Sequence, residues 1–350
     1  MQIKLIIGGL TLATIKEIAT KAKVSIGTVS RVLNFDDTLN VSDSTREKIL
    51  KIAEELQYKS PKNKREKALK ENEIGLISWY NSDEELADPY FLSIRLAIEK
   101  KCNDNNCVIK KIDDETGEGE LKNFAGILAI GRFDSNMIKR LSVNDNLVFV
   151  NFFPDDNKYD SVGIDLKKSL RELFDYLYNL GHRKIGFLGG NDIDLIKNTN
   201  VYIDERDETY KEFMTEKNIY NKNYLYSIEK YDNNNRFPYK MGYELMIKAL
   251  SGEDVPTAFF AGNDAMAVGA YKAVAEKGLK IPEDVSIVGF DDYPSAKYMF
   301  PSLTTIKVPT EYIGDAAVDL IIERIHGNRE YVKKVFVPTE LKIRKSCTQI

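Results

Sequence analysis

"TIKEIATKAKVSIGTVSRVLN", residues 14–34, has the pattern of two short helices joined by a tight turn. Thr14 is placed to cap the first helix. Glu17, three residues on, completes a reciprocal capping box for the orphan N–H groups of the first turn. Ile15, Ile18, Ala19 and Ala22 recur at helical spacing and form one apolar face. Ser25 is placed to cap the second helix, in which Val29, Val32 and Leu33 turn inward and Ile26, Gly27, Thr28, Ser30 and Arg31 are left facing out. A third amphipathic helix is expected over residues 42–57, with Ile49, Ile52, Ala53 and Leu56 on one face. Three such helices bury only a small core, enough for a helix-turn-helix DNA-binding domain over residues 12–58. A plain helical bundle shares this periodicity. Two details favour DNA: short side chains at the start of the second helix allow close approach to base edges, and Arg31 can bond guanine through two donors.

Overall charge argues the other way, since the 350 residues hold 50 Lys/Arg against 54 Asp/Glu, a formal net charge of −4. The imbalance is uneven. Residues 1–71 carry 14 Lys/Arg and 9 Asp/Glu, a net of +5, which leaves −9 for the remainder. "KSPKNKREKALK" (59–70) alone holds six basic residues against Glu66. Residues 59–72 are therefore expected to be a basic hinge, with Lys62, Lys64 and Lys67 tracking phosphates.

Composition excludes several classes. The hydrophobic fraction of 43% is ordinary for a globular chain, and no apolar run approaches bilayer length. Cys102, Cys107 and Cys347, with His182 and His326, lack zinc-site spacing, so reduced thiols, a cytoplasmic location and no metal are expected. Neither histidine has the setting of a Ser-His-Asp triad. "GFLGGND" departs from the dinucleotide-binding pattern and no phosphate-cradling loop is found, so neither catalysis nor a cofactor is expected. Residues 1–11 are expected to be a translated leader: Gly8-Gly9 can be encoded by a GGAGG-type ribosome-binding sequence, and Leu12 by a TTG start codon.

Beyond residue 72 strands alternate with helices. "EIGLISWY" (73–80), "VIKKID", "FAGILAIG", "LVFVNFF", "KIGFLGG", "TAFFAGN" and "DVSIVGFDD" are strand candidates, interleaved with helical patterns at 89–105, 166–181, 264–278 and 311–327. The alternation predicts an α/β core of parallel sheets in two similar halves. Ligands of such sheets lie beyond the carboxyl ends of strands, here marked by Trp79, Asn263 and Asp291. Asp and Asn accepting from sugar hydroxyls, with an aromatic over the apolar ring face, would suit a carbohydrate. Asn263 and Asp291 could equally do no more than cap the elements that follow.

The segments "TIKEIATKAKVSIGTVSRVLN", "VSDSTREKILKIAEELQY", "LGHRKIGFLGG", "GNDAMAVGAYKAVAEKGLKIPEDVSIVGFDD" and "FPSLTTIKV" resemble the lactose-repressor family of bacterial transcription regulators, over essentially the whole chain. "ADPYFLSIR" (87–95) and "TLNV" (38–41) place the likeness among repressors of β-galactosidase genes. The resemblance implies a homodimer on a pseudo-palindromic operator and a periplasmic-binding-protein-like core of two parallel-sheet subdomains. Residues 73–164 with 308–334 would form the N-subdomain, and 165–307 with 335–346 the C-subdomain. It puts Ile26, Gly27 and Arg31 at base-reading positions, with Thr14, Ser25, Thr28, Ser30 and Asn40 completing the DNA-facing set. It puts Arg206, Asn263 and Asp291 on sugar hydroxyls, Phe237 stacked on the sugar, and Asp88 with Tyr90 on the opposite wall. A galactoside inducer is the expected effector.

Two departures from the family pattern stand out. The hinge leucine that wedges into the minor groove would fall at Lys67, nine residues after Tyr58, whereas the nearest leucine is Leu69. Gly27 offers no side chain to a base. No leucine heptad follows residue 345, so no coiled-coil tetramerising tail is expected. The alternative reading is a cytoplasmic sugar-binding protein or carrier with sequence-blind nucleic-acid binding, which would need neither Arg31 nor the basic hinge.

Overall fold

Helix α1 (Ile15–Ala22) begins where the capping box predicts. Glu17 N–H donates to Thr14 Oγ1 (3.3 Å), and Thr14 N–H to Glu17 Oε2 (2.7 Å). It stops at Lys23, whose left-handed φ of 59° turns the chain. Ser25 Oγ then accepts from Thr28 N–H (3.0 Å) and opens α2 (Ile26–Leu33), while Ser42 caps α3 (Asp43–Glu55). Ile18, Ala19, Ala22, Val29, Val32, Ile49 and Ala53 close the three helices on one another. At about 1.5–3 kcal/mol for each fully buried large aliphatic, this is a small core.

The computed structural model describes residues 14–33, 39, 41–56, 58, 72–155, 157–189, 205–227, 237–327 and 329–350. The expected leader (1–11), Asn40 and the hinge residues Lys62, Lys64, Lys67 and Leu69 lie outside the described residues. The chain divides into two compact units, residues 1–72 and 73–350.

The larger unit contains two six-stranded sheets. The first takes β1 (Glu73–Ser78), β2 (Val108–Lys111), β3 (Gly126–Ile130), β4 (Leu147–Val150), β5 (Asp160–Gly163) and, from far along the chain, β11 (Lys334–Phe336). Its order is β11-β5-β4-β3-β1-β2, with every pair parallel. The second takes β6 (Ile185–Leu188), β7 (Leu225–Tyr226), β8 (Ala258–Ala261), β9 (Ser286–Asp291), β10 (Thr304–Lys307) and β12 (Glu340–Lys342), in the order β12-β10-β9-β8-β6-β7. Only β12 runs antiparallel to its neighbour.

Helices fill the connections, as parallel strands require. The first sheet receives α4 (Ser82–Ala87), α5 (Pro89–Asp104), α6 (Glu118–Asn123) and α7 (Ser135–Leu141). The second receives α8 (Leu166–Asn179), α9 (Glu205–Glu216), α10 (Pro238–Leu250) and α11 (Asp264–Glu276). The chain then returns to the first sheet as α12 (Thr310–His326), packed on α5. It crosses between the sheets three times: after β5, after β10 and after β11. The last crossing lies beyond Phe336, because β11 pairs with β5 up to the Phe336–Gly163 register; the expected boundary at residue 334 falls short.

Two packing details bear on the sites. A Cβ on Gly242 would meet the Met266 carbonyl at 2.0 Å, and one on Gly269 the Tyr239 carbonyl at 1.9 Å, so α10 and α11 pack backbone to backbone. Strand β5, "DSVG", is wholly buried although it begins with a carboxylate. Asp160 is fully buried and accepts from both Nη atoms of Arg329 and from Lys333 N–H (2.7 Å), which ties β11 to the sheet.

Candidate functional site

Two surfaces hold the side chains singled out above. In the helical unit, burial of Val29 and Val32 fixes the orientation of α2. Ser25, Ile26, Gly27 and Arg31 are exposed, Ile26 by 48%, while Thr28 and Ser30 are half-buried. The hydroxyls of Ser25 and Thr28 lie 2.9 Å apart and so cap the helix that carries the candidate readers. Thr14 sits at the start of α1, exposed and engaged in its capping box.

The second surface is a cleft between the two sheets of the larger unit. Asp88 is the N-cap of α5, its Oδ1 accepting from Tyr90 N–H (3.2 Å), with Pro89 supplying the preset first turn. The same carboxylate reaches across to the other sheet's loops. Oδ2 accepts from Asn263 Nδ2 (3.2 Å) and Oδ1 from the Tyr293 hydroxyl. Asn263 therefore does both things the sequence allowed: its Oδ1 caps α11 through Met266 N–H (2.9 Å), and its amide nitrogen faces the cleft. Tyr90 OH donates to Asn151 Oδ1 (3.0 Å), beyond the end of β4.

Asp291 ends β9 with a φ of 108°, and Asp292 follows at 58°. Left-handed backbone at non-glycine residues costs about 1–3 kcal/mol each and persists only where neighbours enforce it. Here Arg344 Nη2 donates to Asp292 Oδ1 (2.6 Å), and the fully buried Asp264 accepts from Tyr293 N–H (2.8 Å) and the Thr305 hydroxyl (2.6 Å). Burial pushes the Asp264 carboxyl up to about 7. It also raises Asp88, against hydrogen bonds from Tyr293 and Tyr90 and the field of Arg206. Asp291 is raised well above the ordinary carboxylate range by burial, with Asp88 and Asp264 adding to the effect. Arg206 is the cation facing this group, its guanidinium 5.8 Å from the Phe290 ring. A cavity of about 180 Å³ opens here, lined by Tyr90, Arg132, Asn151, Arg206, Phe290 and Asp291 among others. Acceptors, cations and ring faces converge in it, which suits a polyhydroxylated ligand with apolar faces.

Known proteins match this arrangement along the chain. Residues 14–60 fit the model for bacterial regulatory proteins of the lacI family, and residues 174–347 that for a periplasmic binding protein-like domain. The transcriptional repressor MelR of Bacillus subtilis is 36% identical, covering 95% of this chain and 97% of its own. The regulator GanR of the same organism is 37% identical over 96% and 99%. The chain belongs to the lacI family. It is a DNA-binding transcriptional repressor and not an enzyme. The fold agrees: the Lac repressor dimer bound to operator and an anti-inducer superposes with a TM-score of 0.67 at 24% identity, covering 96% of this chain and 99% of that one. No helix among the described residues is long and apolar enough to cross a membrane.

Of the six effector residues expected in this lacI-family core, Asp88, Tyr90, Asn263 and Asp291 come together, with Arg206 beside them. Phe237 stands at the N-terminus of α10, 37% exposed, and is not part of the cavity around Arg206. Sequence reasoning missed Asn151, Asp264, Arg132 and Tyr293. Asn151 carried a usable signal, since it follows "LVFV" as Asn263 follows "FFAG". Tyr293 carried none, because its partner Asp88 is 205 residues away. His182 is structural: Nδ1 lies 2.9 Å from Thr257 Oγ1 and Nε2 3.2 Å from the Thr348 carbonyl, fully buried.

Proposed function

We propose that this repressor binds a pseudo-palindromic operator as a homodimer and is released by a galactoside held in the cleft, in the cytoplasm. The observation that carries the reading is the Asp88 bridge to Asn263 and Tyr293. A carboxylate on one half already accepts hydrogen bonds from two donors on the other, the pattern a sugar hydroxyl network would replace. Asp88, Tyr90, Arg206, Asn263 and Asp291 bind hydroxyls in this reading, and Phe237 covers a ring face.

Ile26, Gly27 and Arg31 read bases; Thr14, Ser25, Thr28, Ser30 and Asn40 stand around them. Lys62, Lys64 and Lys67 contact phosphates and Leu69 enters the minor groove. Tyr298 and Phe300, 79% and 98% exposed, offer apolar surface to a second copy. The likeness of "ADPYFLSIR" (87–95) and "TLNV" (38–41) to repressors of β-galactosidase genes favours a galactoside.

A ligand gripping both halves favours one arrangement of them over another, and the 59–72 linker passes that preference to the DNA-reading unit. Galactoside should weaken operator binding by about 5–150-fold, the usual range of coupling, and operator should weaken galactoside binding by the same factor. Titrating sugar with and without operator measures both sides. Equal affinity in the two titrations, for a sugar that occupies the cleft, rules out the mechanism.

A further inference from the structure

We propose that the effector is a disaccharide or longer oligosaccharide, with a second ring held in a hollow beside the cleft cavity. The inference rests on the sugar-effector reading and specifies its ligand.

The second hollow, of about 340 Å³, is lined by Trp79, Phe133 and Met137 and shares Arg132 with the cleft cavity. Sheet order sets the two side by side. The strands run β4-β3-β1-β2, and the first residues past their carboxyl ends are Asn151, Gly131 (followed by Arg132), Trp79 and Ile112. The cleft cavity lies over β4 and β3, and the hollow over β3, β1 and β2. Three inter-strand spacings put about 14 Å between the outer strand ends. One pyranose ring fills only part of that length.

The lining has sugar-binding chemistry of its own. Trp79 and Phe133 are half-buried aromatics, and Lys111 and Asp114 stand exposed at the rim. Flat aromatic faces take the apolar side of a ring while rim groups take its hydroxyls. The backbone is shaped to hold Trp79 there. Its N–H donates to the Ile130 carbonyl (2.9 Å), and its ring meets Phe91 edge-on at 5.8 Å. Facing it, Gly131 has φ +89°, and a Cβ there would meet Trp79 Cβ at 2.6 Å. Glycine lets Trp79 close on the neighbouring strand end. None of this is needed to bind a single ring against Asp291 and Arg206.

Trp79 is the only tryptophan in the chain, so its fluorescence reports on the hollow directly. The test is calorimetry and tryptophan emission on the full-length repressor with galactose, lactose, melibiose and galactobiose. At least one disaccharide should bind about tenfold more tightly than galactose, the effect of one added ring contact, and should shift the emission. Phe133→Ala and Met137→Ala leave Trp79 in place as reporter. Each should bring that disaccharide to within about twofold of galactose and leave galactose affinity as it was. Equal binding of galactose and every disaccharide, with no emission change, overturns this inference and leaves the sugar-effector reading standing. So does a parallel loss of galactose and disaccharide binding in Phe133→Ala, which would make Phe133 a support of the cleft cavity. No binding of any sugar to the folded protein overturns both.

Discussion

Helix α2 and the 291–293 turn show two ways of presenting polar side chains. Helix α2 is held from within its own three-helix unit: by the Ser25 cap, the Ser25–Thr28 hydroxyl pair, and Val29 and Val32 packed on α1 and α3. Ile26, Gly27 and Arg31 are exposed on it, on backbone without positive φ. The turn is the opposite case. Asp291 and Asp292 have positive φ, and their supports Asp264, Arg344 and Asp88 come from three distant stretches. A surface that meets a large, regular polyanion can be built locally. A pocket that must discriminate among hydroxyl patterns needs side chains fixed from several directions.

That contrast predicts where substitutions hurt most. Asp160→Ala should have the largest effect, destabilising the larger unit by about 3–5 kcal/mol, because it leaves the nearly buried Arg329 guanidinium without its main partner. Denaturant unfolding measures it. A loss below about 1 kcal/mol would mean that the Asp160–Arg329 pair behaves like an exposed ion pair and that long-range support contributes little.

Arg31→Ala tests the local surface. It should cost about 1–3 kcal/mol of specific binding per half-site while leaving unfolding nearly unchanged, since Arg31 is exposed at the end of α2. Operator and random DNA compared at one salt concentration give the answer. Intact discrimination would remove Arg31 from base reading.

Legibility in the sequence followed the same division. The three-helix unit was readable in outline because its caps and periodicity are local; α3 merely ends at Glu55, short of the expected residue 57. The alternation of strands and helices also carried the α/β class. Strand β5 was missed because "DSVG" looks like a turn, and only its pairing with β4 and β11 and the Arg329 contact make it a buried strand. In the sequence Asp264 looks like one more first-turn acid of a helix. Its burial depends on Thr305 and on the Tyr293 backbone, which no spacing rule connects to it.

Asp264 gives the next effect in size. Its carboxyl is pushed from 3.8 in the unfolded chain up to about 7 in the fold by burial. A raised acid contributes stability that is present below the unfolded value and is lost as pH rises through the folded one. The melting temperature of the larger unit should therefore fall between about pH 4 and about pH 7. Asp88 and Asp291, also raised by burial, act in the same direction. Asp264→Asn should flatten part of the slope and leave the share from the other two. A variant slope equal to that of the parent would show that Asp264 does not titrate in this window.

The smallest effect belongs to Gly27, and it bears most directly on how a locally built surface is tuned. Glycine in a helix is less stable than alanine by up to about 1 kcal/mol, and less near the helix start. A Cβ at Gly27 would meet only Ser25 Oγ, at an ordinary 3.7 Å, so packing inside the protein gives no reason for glycine. Its φ is not in the left-handed region either. Gly27→Ala should then raise the stability of the helical unit by a few tenths of a kcal/mol, up to about 1. If glycine is there to let the α2 backbone approach base edges, operator affinity should fall in the same variant whose stability rises. Thermal melts and operator titrations of the one protein separate the two. Higher stability with unchanged operator affinity would make Gly27 neutral at the DNA surface and leave the reading of bases to Arg31 and Ile26.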